Sequence, residues 1–167
     1  MLKIKKLLTP SNIFVAVLLL FAFFLRVYRV NEILGFYYDQ GRDGLIIWDL
    51  IYKGKFFLIG PTTGIAGIFR GPFYYYLIAP FYLLGGGDPA YPAVFLAALS
   101  VAAIWILYHV ASKYLDKPTA VLVTLISSFS FYIVMAGRWL SNPTPMLFLS
   151  ALLILAMTEI ANIYRYE

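Results

Sequence analysis

Three charged side chains fall within the five residues Asp39 to Asp43, inside the stretch Phe36 to Gly44, FYYDQGRDG. Asp39 can take or give a proton, and Arg42 can grip an anion with its planar guanidinium. Asp43 adds a second carboxylate. The stretch opens the longest polar interruption of an otherwise apolar chain, and charge is costly to keep beside lipid. These side chains are therefore the first candidates for chemistry, and proton transfer next to a bound anion is the chemistry they suit.

The elements that must hold them are membrane helices. The 167 residues are 62% hydrophobic and 19% aromatic, and only 13% are charged, against about 25% in a soluble domain. Mean hydropathy is +0.83. At roughly 20 residues per span the length allows at most five or six crossings. The formal net charge of +5 is not arranged as a nucleic-acid stripe, so no nucleic-acid partner is expected. The absence of cysteine excludes disulfides, thiolate catalysis and cysteine zinc sites. His109, the only histidine, reads as a helix-end or packing residue. No metal site has recognisable spacing and no cofactor is predicted, although carboxylates from beyond this stretch would leave a divalent metal open.

Taken in order, Lys3, Lys5 and Lys6 precede a first span at 12–30, the pattern of a cytoplasmic anchor. Its apolar core runs straight into Arg26, Tyr28 and Arg29 rather than into a small-residue cleavage site, so an uncleaved span is expected. The arginines would reach into the headgroup layer. Residues 31–89 form a first external loop with structure of its own. Within it, 44–53 reads as an interfacial amphipathic helix with Asp49 on its wet side. The glycine-rich turn at 60–67 lacks the spacing of a phosphate loop. Residues 71–84, GPFYYYLIAPFYLL, would cover roughly 21 Å against about 30 Å of hydrocarbon. They read as a re-entrant or interfacial helix, with Tyr74, Tyr75, Tyr76 and Tyr82 suited to the interface. Three further spans follow, at 91–111, 119–136 and 146–163, joined by a basic loop at 112–118 and a polar turn at 137–145.

The fold class expected is an all-α membrane protein. It has about four transmembrane helices, plus interfacial and re-entrant helices in a long first external loop, and forms a single module over 1–167. With the N-terminus in the cytoplasm, Lys113, Lys117 and Arg165 fall inside, and Asp39 and Asn142 share the opposite face. Basic residues kept on that outer side (Arg42, Lys53, Lys55, Arg70) point to an anionic ligand there, phosphate above all.

The order YYDQGRDG, amphipathic helix, GPTTGIAGIFRGPFYYYLIAP, two spans with a basic turn, and RWLSNP resembles the N-terminal portion of GT-C superfamily glycosyltransferases. The branch it is most similar to is glycosyltransferase family 39 and its relatives, the protein mannosyltransferase and aminoarabinose transferase type. That resemblance implies a multi-pass enzyme of the cell's inner (plasma) membrane. Its donor would be a polyprenyl-phosphate-linked sugar, passed with inversion to an extracytoplasmic acceptor that the resemblance leaves open as protein, lipid or glycan. Asp39 matches the family's catalytic acid position. The family commonly follows it with Glu, where this chain has Gln40, and Asn142 stands where some relatives carry an aspartate. Family members extend well beyond a fourth span, so an N-terminal half is implied.

Such a transfer needs a base, cations for the departing phosphate and a greasy groove. Asp39 is the candidate base, with a solvated loop carboxylate as the plain alternative. Arg42, Arg70 and Arg138 are candidates for the donor phosphate. Against them stand a local pair with Asp39 or Asp43 for Arg42, and a place among lipid headgroups for Arg70 and Arg138. Asp43 suits the N-terminal turn of the interfacial helix. Asn142 and Tyr75 are candidates for acceptor contact or support, with interfacial packing the simpler role for the tyrosines. The rival function is a non-catalytic membrane protein that binds lipid-linked saccharide, or a partner subunit; a carrier is disfavoured because no inverted repeat is visible.

Overall fold

The computed structural model describes residues 10–61 and 63–165; the lysines at 3, 5 and 6, expected as an anchor, lie outside them. The described residues form eight helices: α1 Pro10–Val27, α2 Val30–Ile33, α3 Tyr38–Lys53, α4 Phe73–Leu84, α5 Ala90–Tyr114, α6 Lys117–Phe129, α7 Phe131–Arg138 and α8 Met146–Arg165. Three of them (α1, α5 and α8) are long and apolar enough to cross a membrane. The pair α6 and α7 makes a fourth crossing if the two count as one bent span. The chain is an all-α membrane protein.

The longest helix, α5, is the axis of the bundle, with α1, α4, α6, α7 and α8 packed around it. Its buried face is rich in small residues, among them Ala93, Ala97, Ser100 and Ala103. Such residues let helix backbones approach where lipid supplies no hydrophobic drive. At one end of the bundle the Lys113 ammonium meets Glu159 at 2.6 Å, and the Tyr114 hydroxyl donates to the Thr158 carbonyl at 3.1 Å. The opposite end gathers the C-terminus of α1, the N-terminus of α3 and the turn between α7 and α8. This is the end that carries Asp39 and Asn142.

Helix α3 starts six residues before the expected Gly44, at Tyr38. Gln40 explains the early start. Its Oε1 accepts the backbone N–H of Tyr37 at 3.0 Å, satisfying one of the donors a helix start leaves open. The charged cluster therefore lies on a helix, not in a loop before it. Asp39 occupies the first turn, where a carboxylate favours the helix dipole, and Asp43 sits a full turn further on. Near the C-terminus, Asp49 pairs with Lys53 at 2.6 Å and Lys55 at 2.7 Å, and these two lysines hold its carboxyl below the usual carboxylate range.

At 12 residues α4 is about 18 Å long, short of the hydrocarbon thickness. Three of its four tyrosines do not line an interface as expected; Tyr76 alone is exposed. Tyr74, Tyr75 and Tyr82 are buried with Ile78 against Ile47 of α3 and Ala93 and Leu96 of α5. They are the seam that fixes α3 onto the bundle. Between α3 and α4 the chain makes a small hairpin: the Gly60 N–H donates to the Arg70 carbonyl at 2.9 Å and the Arg70 N–H to the Pro61 carbonyl at 3.0 Å. The two backbone segments approach so closely that a Cβ on Gly60 would lie 2.1 Å from the Gly71 oxygen.

Three further expectations need correction. The basic loop at 112–118 is mostly helix: α5 runs to Tyr114, and Asp116 already caps α6 by accepting the Thr119 N–H at 2.8 Å. The third span is not one straight helix but two, bent by 59° at Ser130. Arg26 does not reach the headgroups. It is 1% exposed, inside the bundle, and donates to Ser100 Oγ at 3.1 Å and to backbone carbonyls of α1 and α6. Arg29 is exposed and pairs with Glu32.

Candidate functional site

Asp39, Arg42, Asp43 and Tyr75 form one continuous network. The Arg42 guanidinium stands between the two carboxylates, donating from Nη1 to Asp39 Oδ1 at 3.0 Å and from Nη2 to Asp43 Oδ1 at 2.7 Å. A third bond runs from Arg42 Nε to the same Asp43 oxygen at 2.9 Å. The Tyr75 hydroxyl donates to it as well, at 2.9 Å. Spacing produces this arrangement, since residues 39, 42 and 43 lie on one face of a helix at i, i+3 and i+4. Burial of the α3 and α4 seam then brings Tyr75 to the same oxygen.

The two carboxylates differ in access. The Asp43 side chain is 6% exposed with its hydrogen bonds made inside the seam, whereas that of Asp39 is 66% exposed. Burial pulls the pKa of Arg42 down, but the hydrogen bond and charge of Asp43, with smaller contributions from Tyr75 and Asp39, outweigh it. The net shift is upward, so Arg42 stays charged. Burial, reinforced by the Asp43 carboxylate, pushes the Tyr75 phenol well above the usual tyrosine range, and Tyr82 is pushed up to about 12 by burial and then by Asp43 and Asp88. Tyr75 is thus a permanent donor that pins Asp43. Asp43 in turn pins Arg42, and Arg42 holds Asp39 at the surface.

Arg70 and Asn142, 72 residues apart in sequence, meet at the same end: Arg70 Nη1 donates to Asn142 Oδ1. The hairpin ties Arg70 through both its backbone N–H and its carbonyl, so its side chain starts from a fixed base. Among the described residues Arg70 makes no ion pair with a carboxylate. The contrast with Arg42 decides their electrostatics. Asp39, Arg42 and Asp43 together carry one net negative charge, while Arg70 with a neutral amide keeps its full positive charge.

Arg138 is placed differently. Its Nη1 donates to the Leu25 carbonyl and its Nη2 to the Tyr28 carbonyl at 2.8 Å. It caps the C-terminus of α1, where a cation also complements the helix dipole. Beside it lies a cavity of about 520 Å³ lined by Val30, Ile33, Tyr37, Met135, Arg138 and Trp139. A second, more apolar cavity of about 360 Å³ lies along α3, against Phe36, Gly44, Trp48 and Tyr82.

Sequence reasoning missed Gln40, which it read only as a lost carboxylate. Gln40 is 4% exposed and uses both ends of its amide: Oε1 takes the Tyr37 N–H, and Nε2 donates to the Leu140 carbonyl at 3.0 Å. It ties the start of α3 to the turn that bears Asn142. A Gln three residues after the residue preceding a helix was the available signal, hidden because Tyr37 is not a usual cap. Gln40→Glu is expected to cost about 1–3 kcal/mol at neutral pH, since a buried carboxylate faces the Leu140 carbonyl with no donor. The loss should recede on acidification, because the protonated carboxyl regains one: its folded-state pKa would be raised, so the penalty grows as pH rises through that value. Thermal unfolding in detergent at two pH values checks this; an unchanged midpoint at both would dismiss the tie.

A family model described as dolichyl-phosphate-mannose-protein mannosyltransferase matches residues 70–166, more than half of the chain. The matched stretch opens on Arg70 and takes in the seam helix α4, the bundle axis α5 and the turn with Asn142. Asp39 and Arg42 precede it. No curated protein and no solved structure matches the chain.

Proposed function

The chain belongs to the dolichyl-phosphate-mannose-protein mannosyltransferase family, a family of membrane glycosyltransferases, and we propose that it moves a sugar from a polyprenyl-phosphate donor to an acceptor hydroxyl. The observation that carries the reading is the composition of one bundle end. There an exposed carboxylate, Asp39, is held by Arg42, while Arg70 keeps an uncompensated positive charge against Asn142.

In the proposed step the acceptor oxygen forms a bond to the anomeric carbon from the face opposite the phosphate. The carbon–oxygen bond to phosphate breaks, its electron pair leaves with the polyprenyl phosphate, and the anomeric configuration inverts. Asp39 takes the acceptor proton. A carboxylate is a weak base for a hydroxyl, so most of its effect comes from being held in place, which is the work of Arg42, Asp43 and Tyr75. Arg70 receives the phosphate, with a guanidinium suited to two of its oxygens. The cavity beside Tyr37 and Trp139 has the volume and apolar lining for the first isoprenyl units. With the N-terminus in the cytoplasm, the same end of the bundle faces outward from the cell's inner membrane. The acceptor is a protein, lipid or glycan hydroxyl.

Membranes containing the chain, supplied with radiolabelled sugar on polyprenyl phosphate, are expected to transfer label to an endogenous acceptor in the inverted configuration. Label that stays on the lipid while the donor binds saturably would replace this reading with that of a donor-binding partner.

A further inference from the structure

We propose that Arg26 is a positioning residue that sets the bend at Ser130 and thereby places the Asn142 turn over the start of α3. Its bearing on turnover rests on the transferase reading, whereas its bearing on the position of the turn does not.

An arginine inside a bundle of apolar spans is costly unless its donors are answered, and such a residue is a functional candidate once its partners are named. Among the described residues Arg26 has no carboxylate partner. Its Nε donates to Ser100 Oγ at 3.1 Å, its Nη1 to the carbonyls of Ala22 at 2.9 Å and Ser128 at 3.4 Å, and its Nη2 to the Ser127 carbonyl at 3.2 Å. The last two are carbonyls that the broken span leaves over. The Ser130 N–H bonds back to Ile126 at 2.8 Å and the Val134 N–H to Ser130 at 2.9 Å, so Ser127 and Ser128 fall into the gap.

A helix break inside a membrane needs another source of donors. Sharp kinks have identifiable causes, and here neither proline nor glycine stands at the break: the sequence is Ser127-Ser128-Phe129-Ser130-Phe131. What does stand there is a guanidinium from another helix, inserted against the open carbonyls. Beyond the break α7 folds back onto the same group. A Cβ on Gly137 would lie 2.6 Å from Ser100 Oγ and 3.0 Å from Arg26 Nε, so only glycine lets α7 come this close. The next residue, Arg138, caps α1 at Leu25 and Tyr28. Arg26 thus fastens α1 to the end of α6 at the break, and Arg138 fastens the C-terminal end of α7 to α1.

The geometry reaches the site directly. Helix α7 has eight residues, about 12 Å of length. Straightening a 59° bend would swing its far end by roughly 12 Å over that arm. Leu140 and Asn142 follow that end, and their contacts with Gln40 and Arg70 do not survive such a swing.

The chain has no cysteine, so introduced pairs report cleanly. Arg70→Cys with Asn142→Cys reads the site end through a short bifunctional thiol reagent, and Lys113→Cys with Glu159→Cys reads the opposite end. In native membranes Arg26→Gln should lower cross-linking at the site end about tenfold, the scale of losing a charged hydrogen bond, with the opposite end unchanged. Arg26→Lys, which keeps the charge but not the fork, should recover part of it. Unchanged yield at the site end, or equal loss at both ends, would overturn the proposal. If Arg26→Gln does not accumulate, Gly137→Ala is read in the same way: selective loss at the site end supports the node, and any other pattern refutes it.

Discussion

Asp39→Asn is expected to lower turnover about 10²–10⁴-fold, the range typical for removal of a positioned general base, while the protein stays inserted and folded. Asparagine keeps the shape of the side chain, and its Oδ1 can still accept from Arg42 Nη1, so the network around it survives. The pair being altered is exposed on the Asp39 side, and exposed pairs contribute only about 0.2–1 kcal/mol to stability. What disappears is the one property the amide lacks, a lone pair basic enough to take the acceptor proton. Asp43→Asn provides the contrast. Asp43 is buried and accepts from Arg42 twice and from Tyr75 once, so its loss should show first as a lower unfolding temperature. Measured side by side, turnover and thermal stability should separate the two variants. Full turnover in Asp39→Asn would remove Asp39 from the mechanism. If Asp43→Asn alone lost turnover at unchanged stability, the base would move there.

Much of this arrangement is legible in the chain because hydropathy and length are local quantities. The apolar runs mark the crossings. The 14 residues from Gly71 to Leu84 are too short to span, and the helix they form is shorter still. The meeting of Asn142 with the first loop follows from counting crossings. The illegible features depend on partners far away in sequence. An arginine near the end of an apolar run looks the same whether it reaches out to headgroups or is buried, and what decided the case for Arg26 lies 74 to 102 residues later, at Ser100, Ser127 and Ser128. A hydropathy window averages over the backbone and so passes through the break at Ser130 unmarked. The tyrosines of α4 suit an interface and a buried seam equally well by type; only the docking of α3 chooses. Gln40 shows the limit of reading a residue by what it replaces. Compared with a carboxylate it reads as a loss, yet its amide makes two bonds of opposite polarity that no carboxylate at neutral pH can make.

Arg70→Gln carries the second large expectation: the KM for the polyprenyl-phosphate donor should rise about 10–100-fold, as loss of one charge-assisted phosphate contact would give, while kcat changes little. A rise in KM at constant kcat marks binding that is equal in ground and transition states; the donor's phosphodiester already carries one charge in the ground state, and the further charge gained on leaving adds a smaller fall in kcat. The same substitution separates the two arginines. Arg42 lies between two carboxylates, and the net charge of that trio repels phosphate; Arg42→Gln should therefore lower kcat, by freeing Asp39, more than it raises KM. If Arg42 gave the KM effect and Arg70 did not, the phosphate would sit at α3 and the hairpin arginine would be a lipid-headgroup contact. Arg70→Lys should fall between wild type and Gln, since it keeps the charge but loses the bidentate geometry. Because Arg70 is exposed, its contribution should also weaken with ionic strength. A donor KM that climbs with salt in the wild type but stays flat in Arg70→Gln would tie the phosphate to this side chain without any assumption about which sugar it carries.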